Sequence, residues 1–236
     1  MTSETAEKQQ AAEAAAALVE SGMAVGLGTG STAAFAIAAL GRRVAAGLSI
    51  TAIPTSEQSA AQARALGIRL VDFSACPRLD LTIDGADQIA RGSLDLVKGL
   101  GGALLREKIV ASATERLVII ADRRKLVDRL GGDVPVPVEV VGFGHEVTAA
   151  RLAALGARVA LRRGADGTPF RTDGGNPILD CAFPPITDAP ALEAAIRRIV
   201  GVIECGLFLG MTRLALVAGP DGVARLEPPA RGPGSG

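Results

Sequence analysis

VGLGTGST, residues 25–32, joins an apolar run that begins at Met23 to a second apolar stretch from Ser31 to Leu40. Glycines at 26, 28 and 30 let the backbone turn sharply after a strand, and Ser31 and Thr32 then open a helix. Strand, glycine turn and helix in that order begin a crossover unit, and the alternation continues downstream. Upstream, residues 5–20 are rich in Ala, Glu, Lys and Gln, which predicts a helix stopped by Gly22. Downstream, Ser49–Pro54 reads as a strand and Glu57–Leu66 as its crossover helix. Arg69–Phe73, Leu79–Ile83, Leu94–Val97 and Arg116–Ala121 are further strand candidates, with a helix over Gly102–Ser112. The strand runs are continuously apolar, without period-two alternation, so the expected fold class is α/β: a mostly parallel open sheet with helices on both faces.

The character changes after Leu130, where Gly131, Gly132, Pro135 and Pro137 interrupt the chain. Val136–Val141, Glu146–Leu155, Arg158–Arg162, Pro177–Cys181, Ala189–Val200 and Val202–Glu204 then read β-α-β-β-α-β, the split βαβ order of a ferredoxin-like unit. Residues 131–206 are therefore expected to form a smaller α+β domain inserted into an α/β domain made of 1–130 and 207–236. Arg213–Ala218 and Val223–Leu226 form a closing hairpin, and the Pro/Gly-rich tail 228–236 is read as disordered.

Bulk properties narrow the function. Of 236 residues, 48% are hydrophobic but only 3% aromatic, with no Trp or Tyr, so the core must be built from small aliphatic side chains. Twenty-five basic and 25 acidic residues balance to a net charge of +0, which argues against broad nucleic-acid binding, since that needs a basic footprint. The N-terminus has no basic and apolar leader pattern, and no apolar run reaches the ~18 residues of a membrane span. Cys76, Cys181 and Cys205 match neither a zinc spacing nor a disulfide framework, and a reducing cytoplasm is the expectation.

Four segments offer chemistry. VGLGTGST places backbone N–H groups and the hydroxyls of Thr29, Ser31 and Thr32 at a helix N-terminus, a site for a phosphate-sized anion, with a plain tight turn as the competing reading. It is neither the Rossmann fingerprint, since the third glycine comes two residues after the second, nor a Walker loop, since no Lys precedes Ser31. LTIDGAD, 81–87, ends a strand with Asp84 and Asp87, which could hold a divalent metal, orient hydroxyls, shuttle protons or cap the next turn. VKGLGGALLREK, 97–108, sets Lys98 and three glycines before a helix bearing Glu107, a residue that would otherwise read as part of a solvated face. ADRRKLV, 121–127, brings Arg123, Arg124 and Lys125 to the same sheet edge. The single histidine, His145, starts a helix in the inserted unit and is read as structural, leaving no imidazole as a base.

VGLGTGST, Pro54-Thr55-Ser56, DGAD, KGLGGALLREK and ADRRKLV occur in the order found in type A ribose-5-phosphate isomerases, and TDGGN (172–176) and GLF (206–208) resemble later landmarks of that family. The resemblance runs from about residue 8 to about 226. It implies interconversion of ribose 5-phosphate and ribulose 5-phosphate in the non-oxidative pentose phosphate pathway, without metal or organic cofactor, by a homodimer or dimer of dimers. It carries the general base to Glu107, with Asp84, Asp87 and Lys98 assisting catalysis. The implied substrate contacts are Thr29, Gly30, Ser31, Thr32, Asp84, Gly85, Ala86, Asp87, Lys98, Gly99, Leu100, Gly101 and Lys125. Two positions depart from the family pattern: Gln88 stands where Glu is common, and Leu100 where glycine is common, so that only a backbone role survives there. The competing readings are an amino-sugar-phosphate deaminase, which would normally call on a histidine near the site, and a sugar-phosphate sensor domain, for which Glu107 would be superfluous.

Overall fold

The computed structural model describes residues 3–229; residues 230–236 of the tail read as disordered lie outside them. Helix α1 (Ser3–Ala16) leads into strand β1 (Ala24–Leu27), α2 (Ser31–Ala45), β2 (Thr51–Pro54), α3 (Glu57–Ala65) and β3 (Arg69–Leu70). Next come β4 (Leu79–Gly85), β5 (Gln88–Ala90), β6 (Leu96–Val97), α4 (Leu104–Ser112), β7 (Thr114–Asp122) and β8 (Leu126–Val127). The chain continues through β9 (Val136–Val140), α5 (His145–Ala153), β10 (Arg158–Leu161), β11 (Ile178–Ala182), α6 (Ala189–Arg197) and β12 (Val202–Cys205). It ends with β13 (Leu207–Phe208), β14 (Thr212–Gly219) and β15 (Gly222–Leu226).

The large sheet has the order β15-β14-β7-β4-β1-β2-β3. Every neighbouring pair is parallel except the β14–β15 hairpin at one edge. Strand β7 shows why its sequence looks uniformly apolar. Val118 and Ile120 face a core shared with α1 and α2, whereas Leu117, Ile119 and Ala121 face a second core with Phe208, Leu96 and Ala111 of α4. A strand covered on both sides has no polar face to alternate with. Helix α1 reaches its neighbours through Ala11, Ala12, Ala15 and Ala16, all essentially inaccessible; alanines allow it to lie close against α2 and β7.

Strands β9 to β12 form a separate antiparallel sheet, ordered β10-β11-β9-β12. In chain order that is 2-3-1-4, the arrangement the split βαβ pattern implies. Its core is Val136, Val138, Val140, Leu152, Leu179, Cys181 and Ile196. A third sheet, β13-β6-β5-β8, was not expected. Its strands are two or three residues long, too short to show a period, and one candidate shrinks because Leu94 adopts a positive φ of 57° in a turn.

Helix α4 begins two residues later than expected. Gly99 (φ 102°) and Gly102 (φ 84°) hold the preceding loop in left-handed backbone, and Gly102 packs so tightly under the Phe170 ring that a Cβ would collide with it. Glu107 consequently sits in the first turn of α4 and not deeper along it.

Gln88 has a structural occupation. Its amide donates to the Gly131 carbonyl at 2.9 Å and accepts from the Gly131 N–H at 2.8 Å, tying β5 to the chain as it leaves for the antiparallel sheet. A carboxylate would accept but not donate there.

Candidate active site

In the large sheet the chain moves outward from β1 to β2 and β3 on one side, and from β4 to β7 and β14 on the other. The order reverses between β1 and β4, and in open parallel sheets the crevice beyond the strand ends at such a point is where ligands bind. The loops leaving β1 and β4 are those of Gly28–Thr32 and Gly85–Asp87. They approach so closely that a Cβ on Gly28 would overlap the Asp84 carboxylate, and the Thr29 N–H donates to that carboxylate at 3.1 Å.

A cleft opens here, walled by Thr29, Gly30, Ser31, Thr32, Gly85, Ala86, Asp87, Lys98, Gly99, Gly101, Glu107 and Lys125, together with Lys8 of α1. Twelve of these thirteen residues are among those expected. At one end Ser31 and Thr32 open α2, whose N-cap Gly30 (φ 104°) offers no side chain to the first-turn N–H groups. The positive end of a 15-residue helix therefore faces the cleft. Lys8 reaches Ser31 Oγ at 3.1 Å and pairs with Glu4 at 2.6 Å. Glu4 in turn meets Arg124, itself paired with Asp122, so Arg124 is occupied structurally while Lys125 lines the cleft. The Thr29 hydroxyl, expected to face an anion, instead contacts the hydroxyls of Thr55 (2.6 Å) and Ser56 (2.8 Å). That cluster explains the Pro54-Thr55-Ser56 motif: it braces the glycine turn from behind.

The other end is buried and charged. Lys98 Nζ lies 3.0 Å from Asp84 Oδ2, 3.1 Å from Glu107 Oε1 and 2.6 Å from the Gly85 carbonyl. All three charged side chains are at most 5% exposed. Burial opposes the Lys98 charge, but Asp84 and then Glu107 outweigh it, and the ammonium is held above its ordinary range. Burial likewise pushes both carboxyls up, with Lys98 pulling the other way. The two differ in their donors. Asp84 accepts from Lys98 and from the N–H groups of Thr29 and Gly85, whereas Glu107 has Lys98 alone and feels Asp84 and Asp87 as repelling charges. Glu107 is pushed up to about 8. Its Oε2 is the one buried side-chain oxygen or nitrogen with no hydrogen-bond partner among the described residues. A buried, half-paired carboxyl on a cleft wall, with proton affinity near neutrality, is suited to taking and returning a proton.

Asp87 extends along the wall and accepts the Leu100 N–H at 2.9 Å. Leu100, also expected at the site, does not line the cleft: its backbone N–H is on Asp87 and its side chain is 42% exposed. Asp84 is placed differently from expectation: it stands behind the wall, its oxygens taken up by three donors. His145 sits at the start of α5 against the Gly142 carbonyl and no imidazole lines the cleft. Among the described residues one group has the spacing of metal ligands, Glu193, Glu204 and Cys205. Lys108 already lies there, 2.8 Å from Glu204 and 3.6 Å from Glu193. Lys8 is the wall residue that sequence reasoning missed.

Comparison with known proteins gives a consistent result. The family model for ribose 5-phosphate isomerase A (phosphoriboisomerase A) matches residues 51–222. Ribose-5-phosphate isomerase A of Gluconobacter oxydans is 59% identical over 222 residues, covering 94% of this chain and 96% of the relative, and that of Gloeobacter violaceus is 57% identical over 223 residues with the same coverage. Among solved structures, the enzyme from Methanocaldococcus jannaschii superposes with a TM-score of 0.90 at 38% identity, covering 94% of this chain and 98% of that one. A D-ribose-5-phosphate isomerase in complex with phospho-erythronic acid gives 0.92 at 36% identity, covering 96% and 100%.

Proposed function

Because this chain belongs to the ribose 5-phosphate isomerase A family, we propose that it interconverts D-ribose 5-phosphate and D-ribulose 5-phosphate as a step of the non-oxidative pentose phosphate pathway. The observation that carries this reading is Glu107 Oε2, buried yet unpartnered on the wall of a cleft whose other end is cationic. Binding of phospho-erythronic acid by a relative supports a phosphorylated four- or five-carbon acid or sugar as the kind of molecule the cleft accepts.

The phosphate is held by Lys8, Lys125, Ser31, Thr32 and the N-terminus of α2, which anchors the sugar so that C1 and C2 reach the buried end. Glu107 removes the proton from C2 of the open-chain aldose, giving a cis-enediolate, and returns it to C1 on the same face. Negative charge developing on the sugar oxygens is met by the Lys98 ammonium and by the backbone N–H groups of Gly99 and Gly101, the Leu100 N–H being held by Asp87. Asp87 exchanges protons with the sugar hydroxyls as the carbonyl migrates and assists ring opening. Asp84 serves by holding Lys98 and the Thr29 loop in register. Deaminase chemistry has no histidine to use here, and a sensor would have no use for a buried base.

Residues 131–206 serve as an inserted domain. Phe143, Val147 and Val200 lie exposed on it, at 95%, 61% and 86%, and support self-association into a homodimer or dimer of dimers. Among the described residues no helix is long and apolar enough to cross a membrane, and Cys76, Cys181 and Cys205 are free thiols, which support a cytoplasmic enzyme. The test is direct: purified protein is mixed with ribose 5-phosphate in excess chelator and ketose is followed. Steady ketose formation is expected; its complete absence would sink the proposal.

A further inference from the structure

We infer that Arg162, at the end of a strand of the antiparallel sheet, is a positioning residue for the isomerisation, holding the Gly99–Gly101 backbone so that the Gly101 N–H faces the substrate and the Leu100 N–H stays on Asp87. The inference rests on the isomerase reading above. Arg162 immediately follows β10 and its side chain is only 11% exposed. Its Nη1 donates to the carbonyls of Gly99 at 2.9 Å and Leu100 at 3.0 Å. The remaining face of the guanidinium is committed to Asp180, through Nε to Oδ2 at 2.9 Å and Nη2 to Oδ1. Phe170, whose ring centroid is 5.8 Å from the guanidinium, covers Gly102 at the far end of the same loop.

In a trans peptide the C=O of one residue and the N–H of the next lie in one plane and point in opposite directions. Drawing the Gly99 and Leu100 carbonyls outward to Arg162 therefore turns the Leu100 and Gly101 N–H groups inward. The first of these planes is held from both sides, since the Leu100 N–H donates to Asp87 at 2.9 Å. Such a hold is needed here because glycines at 99, 101 and 102 give the loop little conformational preference of its own. Asp180 balances the Arg162 charge, so the residue acts through geometry and not as a remote cation. The antiparallel sheet thereby contributes to catalysis without touching substrate.

The competing possibility is that Arg162 merely clips two sheets together. Arg162→Ala and Arg162→Lys in the full chain separate the two. Removing one donor to a developing oxyanion loses about 10²–10³ in kcat, and loosening donors that remain present should lose less, about 10–100-fold in Arg162→Ala. KM should stay within about threefold, since the anion end of the cleft is untouched. Inhibition by phospho-erythronic acid, whose carboxylate stands for the enediolate oxygens, should weaken by a factor similar to the loss in kcat/KM. Inhibition by inorganic phosphate should not change. Arg162→Lys, which cannot reach both carbonyls and Asp180 at once, should fall between parent and Arg162→Ala, and it is read in the same comparison if the alanine variant does not fold. Parent-like kcat in the variants overturns the inference, as does equal weakening toward phosphate and phospho-erythronic acid. Absence of turnover in the parent itself would overturn the isomerase reading and this inference with it.

Discussion

The two ends of the cleft solve opposite problems. At the buried end Asp84, Lys98 and Glu107 are stripped of water, and two carboxyls compete for one ammonium. At the other, Lys8 and Lys125 stand with Ser31 and Thr32 at a helix N-terminus, in partial contact with solvent. Desolvation is expensive for a binding site, because taking the phosphate and its cations out of water costs more than their attraction returns unless every lost hydrogen bond is replaced. For a general base it is useful, because burial lifts a carboxyl from a weak base to one matched to neutral pH. In the proposed mechanism, proton transfer and anchoring are separated along a single cleft.

Substitutions at the two ends should therefore fail in different ways. The largest effect belongs to Glu107→Gln, which keeps shape but loses the base: kcat should fall by about 10²–10⁴ or more while phospho-erythronic acid still binds, measured by steady-state kinetics and calorimetry. Next is pH. Glu107 must be ionised to accept a proton and sits at about 8, so kcat/KM should fall with unit slope as pH drops below about 8, roughly tenfold per unit. The same shift acts on stability with a definite sign. Its folded value of about 8 exceeds the 4.5 of an unperturbed side chain, so the folded state binds more protons between those limits. Stability contributed by this group is present below about 4.5 and is lost as pH rises to about 8. Glu107→Gln should remove that slope, raising Tm relative to the parent more at pH 9 than at pH 5. A parent-like slope in the variant would break the assignment of the buried end.

At the anion end, Lys8→Ala and Lys125→Ala should each raise KM by about 10-fold with kcat nearly kept, in line with the loss of one charge-assisted hydrogen bond, and the effect should shrink at high salt. A fall in kcat as large as the rise in KM would mean that the two ends are not separable. Smallest in activity is Gln88→Glu. It leaves the Gly131 carbonyl without its donor and should cost about 1–3 kcal/mol in denaturant unfolding while turnover stays close to parental.

Much of this arrangement is legible in the amino-acid sequence, for a physical reason. Residues that meet at the ends of parallel strands lie in short, chemically unusual segments such as DGAD and KGLGG, each directly after an apolar run. Those segments announce themselves, and topology alone brings β1 and β4 together. What the sequence could not convey depends on contacts between distant segments. Lys8 sits in an Ala- and Glu-rich helix where a lysine is ordinary, and only the path of α1 across the cleft gives it a partner in Ser31. The burial of Glu107 was equally hidden, since Arg106 and Lys108 beside it look like a solvated face. In the structure both turn away, Arg106 to Glu57 and Lys108 to Glu204. The hydroxyl cluster around Thr29 and the short strands of the third sheet were illegible because each is stabilised across the fold and not along the chain.

The single-base claim is tested most directly by isomerising ribose 5-phosphate in D₂O and reading C1 of the ribulose 5-phosphate by NMR. One carboxylate working on one face of a planar enediolate predicts deuterium at only one of the two C1 hydrogen positions, at less than one deuterium per first turnover because part of the C2 proton is carried to C1 before it exchanges, and no incorporation with Glu107→Gln. Deuterium at both positions, or exchange that persists undiminished in that variant, would contradict it.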